Sequence, residues 1–326
     1  MQEEAFQTNM PFCENKVKET HTFDRRSMST VFPFFSSDIG HEQGIPLGFN
    51  RQTGLPILFD NFSPTLTNYN MVIFGKSGAG KGVTIKTLTA RSSVLMGIES
   101  LALDAEGEYG VVAEALGGIN VTISPNSKTI INLFDVEIET FKDEITGKER
   151  KMLSIENKVE DVTQALLTMA RGSTRSQEVN ELTKQIIAEA IAEEYTRCGI
   201  TNDVNSLYKN SNDKVKIKKD MPTIGSWYKR ILENAEKNNN PDYRFHYSYL
   251  IKVMKQYIRE YDGQMAYFDG QSTFDLLDDV PFINLDISQL EERFARPLAQ
   301  QILLSWIWEK YVKKNSEDKE KAAKKR

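Results

Sequence analysis

The chain has 326 residues, of which 40% are hydrophobic and 27% are charged, and its formal net charge is −5. This composition is typical of a soluble globular protein with roughly two domains, or with one large α/β domain that carries an insertion. It excludes a uniformly basic nucleic-acid-binding protein, because such a protein needs an excess of positive charge.

Targeting and redox signals are weak along the whole chain. No apolar run approaches the ~18 residues that a membrane span needs, and no signal peptide opens the sequence. The 2 cysteines, Cys13 and Cys198, indicate neither a disulfide framework nor a metal site. The histidines are scattered, and we expect each on the surface: His21, His41 and His246. We therefore expect a cytoplasmic protein without a transmembrane segment.

The N-terminal part of the chain precedes the predicted core. Residues 1–40 are polar and irregular, which indicates a linker or arm. Residues 44–62 contain two short apolar runs separated by turn-forming residues from Asn50 to Gly54. Two apolar runs around such a turn predict a β-hairpin.

A glycine-rich loop at residues 71–82, MVIFGKSGAGKG, is the strongest functional signal. The apolar run Met71–Phe74 predicts a buried strand before the loop, and the spacing from Val83 to Leu95 predicts a helix after it. The loop matches the phosphate-binding motif G-x-x-x-x-G-K-[ST] up to its last letter. Its backbone N–H groups and the helix N-terminus would surround nucleotide phosphates, which Lys81 would contact as a point charge. The predicted nucleotide-binding residues are Gly75, Lys76, Ser77, Gly78, Ala79, Gly80, Lys81, Gly82, Val83 and Thr84.

The last position of the motif departs from the pattern. Gly82 stands where a Ser or Thr hydroxyl would ligate Mg²⁺. Thr84 would project from a different side of the helix start and is a poor substitute. The loop therefore predicts ATP and Mg²⁺ as cofactors, but it leaves open whether the chain hydrolyses ATP.

Later strands supply the acidic candidates. SLALD at 100–104, INVTI at 119–123 and PFINL at 281–285 predict strands, and a strand–helix–strand unit around the loop implies a parallel sheet. Asp60, Asp104 and Asp286 compete for the role of the acid at a strand end. Asp104 is favoured because acids follow it closely, so the predicted catalytic residues are Lys81, Asp104, Glu106 and Glu108.

The middle and end of the chain read as helical. Residues 152–198 predict long helices broken at Gly172, and further helices are expected at Ile224–Lys237 and Tyr243–Tyr261. The last predicted helix, Pro297–Val312, carries Trp306 and Trp308 towards the core, and a charged tail follows. The predicted organisation is an arm at 1–40, an α/β core at 41–150 and 263–312, a helical insertion at 151–262 and a tail at 313–326.

Several motifs in order resemble the large ATPases of conjugation and type IV secretion, the VirB-four, TraC and TraE class. They are GKSGAGKG, LALDAEGEYG, the NLFD at 132–135, YFDGQSTFDL at 267–276 and FINLDISQLEERFARPLAQQILLSWIWEKY at 282–311. The lead-in GIPLGFNRQTGLPILFD resembles that family's entry to its motor domain. The resemblance covers about residues 30–312.

The resemblance implies a RecA-like P-loop NTPase with a parallel-dominated sheet and an inserted α-helical subdomain. It implies a homohexamer docked on secretion-channel subunits at the inner face of the cell membrane, where it powers pilus assembly or substrate transfer. Asp104 and Glu108, in the family's D-x-E-G-E-Y motif, would lie near the nucleotide. The family's Asp-Glu strand would follow the last helix, and we expect that this chain is truncated before it.

Two other functions stay open. Gly82 and the missing acidic strand favour a nucleotide-binding scaffold that hydrolyses ATP poorly. A HerA- or FtsK-like DNA translocase shares the fold and the loop, and the lysine run at 214–219 is a candidate for DNA contact. The D-x-E-G-E-Y and F-D-G-Q motifs favour the secretion ATPase over the translocase.

Overall fold

The computed structural model describes residues 40–313, apart from residues 52, 126, 143–148, 173–178, 210–215 and 276–279, together with the single residues 16, 22 and 24. The predicted arm and charged tail, with Cys13 and His21, lie almost wholly outside this range. The chain forms two compact units, Met1–Ile73 and Phe74–Arg326. No helix in the described part is long and apolar enough to cross a bilayer.

The first unit contains the predicted hairpin. Strand β1 (Ile45–Phe49) pairs antiparallel with β2 (Pro56–Phe59). The turn is closed by the N–H of Asn50, which donates to the Leu55 carbonyl, and by the N–H of Gly54, which donates to the Asn50 carbonyl, both at 2.8 Å. Gly54 has φ 71°, which a side chain would disfavour. The hairpin prediction is confirmed.

The strand predicted at Met71–Phe74 is wrong. These residues belong to no strand, and the side chains of Val72 and Phe74 are 71% and 90% exposed. An apolar run becomes a strand only when a neighbouring strand takes its backbone hydrogen bonds, and no described strand pairs with this segment. The predicted strand–helix–strand unit therefore lacks its first strand.

A three-stranded parallel sheet forms the centre of the second unit, in the order β3 (Ser100–Asp104), β7 (Phe282–Asp286), β4 (Ile119–Thr122). Asp104 on β3 lies opposite Asp286 on β7, so both carboxylates stand at the same end of the sheet. A short helix, α2 (Gly110–Ala115), contacts β4 and β7. The parallel sheet and the mixed α/β class are confirmed. The sheet consists of the three strands that follow the glycine-rich loop in sequence, and the segment before the loop is not one of them.

Helices make up most of the remainder of the second unit. They are α1 (Lys81–Met96), α3 (Ile155–Arg171), α4 (Glu181–Arg197), α5 (Ile224–Lys237), α6 (Pro241–Met254) and α7 (Ala295–Ile307). Short 3-10 turns lie at Val204–Leu207, Lys255–Tyr257 and Arg259–Tyr261, and a π turn spans Trp308–Lys313. A further antiparallel pair, β5 (Glu139–Lys142) with β6 (Glu149–Met152), was not predicted.

Local sequence explains where these helices begin and end. Asn180 and Thr223 each cap the helix that follows through a capping box, and Pro241 occupies the first turn of α6. Helix α3 ends at Gly172, whose φ is 60°. These positions agree with the predicted breaks at Gly172 and before Pro241.

The helical segment and the sheet share one hydrophobic core. Helix α3 packs against α4, α6 and α7, and the side chains of Trp227 and Trp306 are fully buried. Trp308 is 57% exposed, so the core assignment is confirmed for Trp306 and wrong for Trp308. His246 is buried and within 3.0 Å of the Thr183 hydroxyl, which corrects the expectation that it lies on the surface.

Candidate functional site

The glycine-rich loop has an open backbone arranged for a phosphate group. Gly78 and Gly80 adopt φ 76° and 84°, which only glycine tolerates readily, and no described atom lies within 4 Å of a Cβ added at either position. Among the described residues, no acceptor takes the N–H groups of Gly80, Lys81 or Gly82 at the start of α1. Orphan N–H groups at a helix N-terminus attract anions, so the loop fits the phosphates of a nucleotide.

Two side chains of the loop bond to the loop itself. The Lys81 ammonium donates to the Gly75 carbonyl at 2.6 Å, which holds it across the mouth of the loop. The Thr84 hydroxyl donates to the Gly80 carbonyl at 3.0 Å. This bond runs from residue i to residue i−4 within the first turn of α1. That Thr84 does not replace the missing hydroxyl at position 82 stays a prediction.

Asp104 organises the loop that follows β3. Its carboxylate accepts hydrogen bonds from the N–H groups of Gly107 and Tyr109 at 2.8 Å and of Glu106 at 3.1 Å. Burial alone would raise the pKa of Asp104, but these backbone hydrogen bonds outweigh it and hold the pKa below its ordinary value. The Asp104 carboxylate therefore accepts three backbone N–H groups of the D-x-E-G-E-Y loop and holds this loop in place.

The glycine of the same loop allows close approach to the end of β7. Gly107 has φ 73°, and a Cβ there would lie 2.8 Å from the Ser288 hydroxyl. The amide of Asn284 on β7 donates to Asn120 at 2.9 Å and lies 3.4 Å from Asp104. These contacts fix the loop at the carboxyl end of the sheet, where parallel sheets commonly bind ligands.

Glu108 is the acid that the structure brings next to the glycine-rich loop. Its carboxylate forms a 2.7 Å ion pair with the ammonium of Lys86 on α1. The same ammonium lies 5.4 Å from the centroid of the Tyr109 ring. Tyr109 stacks on Phe282 of β7. Of the predicted catalytic acids, Asp104 is buried, whereas Glu106 and Glu108 are both exposed and Glu108 is paired with Lys86 on α1.

Residues 53–255 match the family model described as the helicase HerA, central domain. The chain belongs to this family. A search of curated proteins gave no match. A search of solved structures matched VirB4 of Thermoanaerobacter pseudethanolicus at 24% identity and a TM-score of 0.65, which shows a shared fold. The match covers 84% of this chain and 65% of that one, so the chain spans less than two thirds of its structural relative.

Sequence reasoning missed three contributors to the site of this HerA-family chain. Lys86 follows Gly82 by one helical turn, and that spacing was the available signal for a shared face. For Asn284, the only indication in the sequence was a polar residue within the apolar strand FINLD. No feature of the sequence indicated Ser288. In the described part of the chain, no group of at least three His, Cys, Asp or Glu side chains is placed to hold a metal ion.

The lysine run is largely engaged by the protein. Lys218 pairs with Glu137, Lys219 donates to the Gly199 carbonyl at 2.8 Å, and the Lys216 ammonium lies 5.0 Å from the centroid of the Tyr208 ring. Lys214 lies outside the described residues. These contacts give the described lysines structural partners, which weakens the case for a DNA-binding strip.

Proposed function

We propose that this chain binds ATP with Mg²⁺ at residues 75–84 and acts as an ATP-binding motor domain of a type IV secretion system. The observation that carries the proposal is the open loop at the start of α1, where the N–H groups beside Lys81 have no acceptor among the residues that the structure describes. Such a loop binds the β- and γ-phosphates through its backbone and its lysine. The fold shared with VirB4 and the ordered secretion-ATPase motifs support the same assignment.

The assembly is part of this proposal. We propose a homo-oligomer, a hexamer, that docks on secretion-channel subunits at the cytoplasmic face of the membrane and drives pilus assembly or substrate transfer. The support is the motif order together with the VirB4 fold. The proposed organisation keeps an α/β core at 41–150 and 263–312 around a helical insertion at 151–262.

Two alternatives have specific support. A DNA translocase is favoured by membership of the HerA central-domain family. A scaffold that binds nucleotide but hydrolyses it poorly is favoured by Gly82 and by the three backbone N–H groups that already donate to Asp104. If the chain is such a scaffold, the isolated chain should show little or no Mg²⁺-dependent ATPase activity.

Binding of a fluorescent ATP analogue tests nucleotide recognition. In Lys81→Ala the affinity should fall by about tenfold or more, because a charge-assisted contact to the phosphates is lost. The matched control is Lys237→Ala, which removes a 71% exposed lysine at the end of α5. Equal affinity in the two variants would refute the phosphate-loop assignment.

ATP turnover with and without DNA separates the alternatives. Turnover that rises with added double-stranded DNA would support the translocase. Binding without turnover in either condition would support the scaffold. Turnover that depends on Mg²⁺ but not on DNA would support the secretion motor.

A further inference from the structure

The space beside Gly82 is bounded by a carboxylate. A Cβ built on Gly82 would lie 3.2 Å from Oε2 of Glu108, and no other described atom outside the backbone of α1 is within 4 Å of it. A Ser or Thr side chain in the usual motif would start from this Cβ. The Glu108 oxygen therefore stands beside the space in which the loop hydroxyl would lie.

Contacts from two elements hold Glu108 in this place. Lys86, one turn after Gly82 on α1, pairs with Oε2 of Glu108 at 2.7 Å. Tyr109, the next residue, stacks on Phe282 with the ring planes 11° apart. The Glu108 side chain is 58% exposed, so the carboxylate can turn towards a ligand in the loop without unfolding its surroundings.

We infer that Glu108 supplies the oxygen ligand for the nucleotide's Mg²⁺ that the loop lacks at Gly82. This inference rests on the proposed nucleotide-binding function. Mg²⁺ binds through one or two carboxylates together with phosphate oxygens, so a carboxylate is a competent replacement for a hydroxyl. Glycine at position 82 leaves the approach of Glu108 free of a side chain.

The sign of the electrostatic effect distinguishes this role from a structural one. A carboxylate beside the triphosphate repels it when no cation is present, and it attracts the Mg²⁺ complex. Nucleotide affinity should therefore depend strongly on Mg²⁺. If Glu108 served only to anchor Lys86, its removal would raise the affinity in both conditions, because it removes a negative charge and frees the Lys86 ammonium beside the phosphates.

The test compares ATP-analogue affinity in EDTA with affinity in saturating Mg²⁺. In Glu108→Gln, which keeps the side-chain shape, affinity in EDTA should rise and affinity in Mg²⁺ should fall, so that the gain from Mg²⁺ shrinks by about tenfold or more relative to wild type. In Gly82→Ser combined with Glu108→Gln, the restored hydroxyl should recover much of that gain. Glu114→Gln on α2, which removes an exposed carboxylate, is the matched control and should behave as wild type.

A second measurement reports the metal directly. Electron paramagnetic resonance of Mn²⁺ with ATP should show weaker Mn²⁺ binding in Glu108→Gln than in wild type. An affinity in Mg²⁺ that does not fall in Glu108→Gln, with nucleotide binding still dependent on Lys81, would overturn the role of Glu108 and leave the proposed function intact. Absence of nucleotide binding by the wild-type chain in both conditions would overturn both.

Discussion

The hydroxyl of Tyr195 donates a 2.7 Å hydrogen bond to the carbonyl oxygen of Phe134, and both side chains are buried. The bond ties α4 to the NLFD segment that follows β4, so the helical segment and the α/β core are joined by a specific polar contact. A buried carbonyl that loses its donor keeps the full cost of its removal from water.

Tyr195→Phe should therefore lower the free energy of unfolding by about 1–2 kcal/mol. Urea denaturation should show a lower midpoint with an unchanged slope, because the surface exposed on unfolding is the same. Tyr261→Phe, at a residue 40% exposed, is the control and should change stability by less than about 0.5 kcal/mol. Equal midpoints for the two variants would show that the contact does not stabilise the fold.

The lowered pKa of Asp104 predicts that the free energy of unfolding decreases at acidic pH. Its folded-state pKa is lowered, so its contribution is present above the unfolded-state pKa and is lost as the pH falls through the folded-state value. Asp104→Asn should cost about 1–3 kcal/mol near pH 7, because an amide cannot accept the same set of backbone N–H groups. Denaturation from pH 7 to pH 3 should show the difference from wild type shrinking. A difference that does not change with pH would contradict this assignment.

Lys310, in the π turn, should stabilise the fold by neutralising the acidic side chains around it. Its ammonium lies 2.9 Å from Glu137, 3.5 Å from Asp275 and 3.6 Å from Asp135, and its side chain is 9% exposed. Burial alone would lower the pKa of Lys310, but the three carboxylates outweigh burial and hold the pKa above its ordinary value.

Lys310→Met leaves these acids facing one another, so we expect a loss of about 3–5 kcal/mol in urea denaturation. Adding Asp135→Asn should recover part of that loss, because it removes one of the uncompensated charges. Lys237→Met provides the exposed control. A loss below about 1 kcal/mol would place the cluster in well-solvated surroundings.

The lysine run gives a prediction about DNA. Lys216 and Lys219 are held by the Tyr208 ring and the Gly199 carbonyl, so replacing both with Ala should leave DNA affinity unchanged. Fluorescence anisotropy with single- and double-stranded oligonucleotides at fixed salt measures the affinity. A clear fall in affinity in the double variant would show that these lysines contact phosphates.

The boundaries of α5 were predicted correctly from sequence, whereas the helix predicted at Tyr243–Tyr261 ends at Met254. Helix α5 spans the predicted residues Ile224–Lys237 because Thr223 and Ser226 form a local capping box, and Asn238 follows as a break. Signals of this kind lie within a few residues and are visible in one sequence. The hairpin of β5 and β6 was missed because its segments, ETFK and ERKM, are charged and lack a clear apolar alternation.

The site depended on contacts that no local pattern encodes. Asn284 meets Asp104 across 180 positions of the chain, and the Glu108 carboxylate reaches the helix start only because Asp104 and Gly107 shape the intervening loop. The strand prediction at Met71–Phe74 was wrong for the opposite reason. Its composition suits a strand, but strand formation depends on a neighbour that composition does not specify.

Helix α1 has no buried residue, and Val83, Val94 and Leu95 on it are mostly exposed. A helix of 16 residues with no fully buried side chain gains little from packing, so α1 should be only marginally stable without a ligand. A phosphate ligand at its N-terminus would favour the helical form, and the measured affinity would include the cost of ordering the helix. Nucleotide binding to this chain is then also a local folding reaction, in which slower amide hydrogen exchange along α1 would report occupancy.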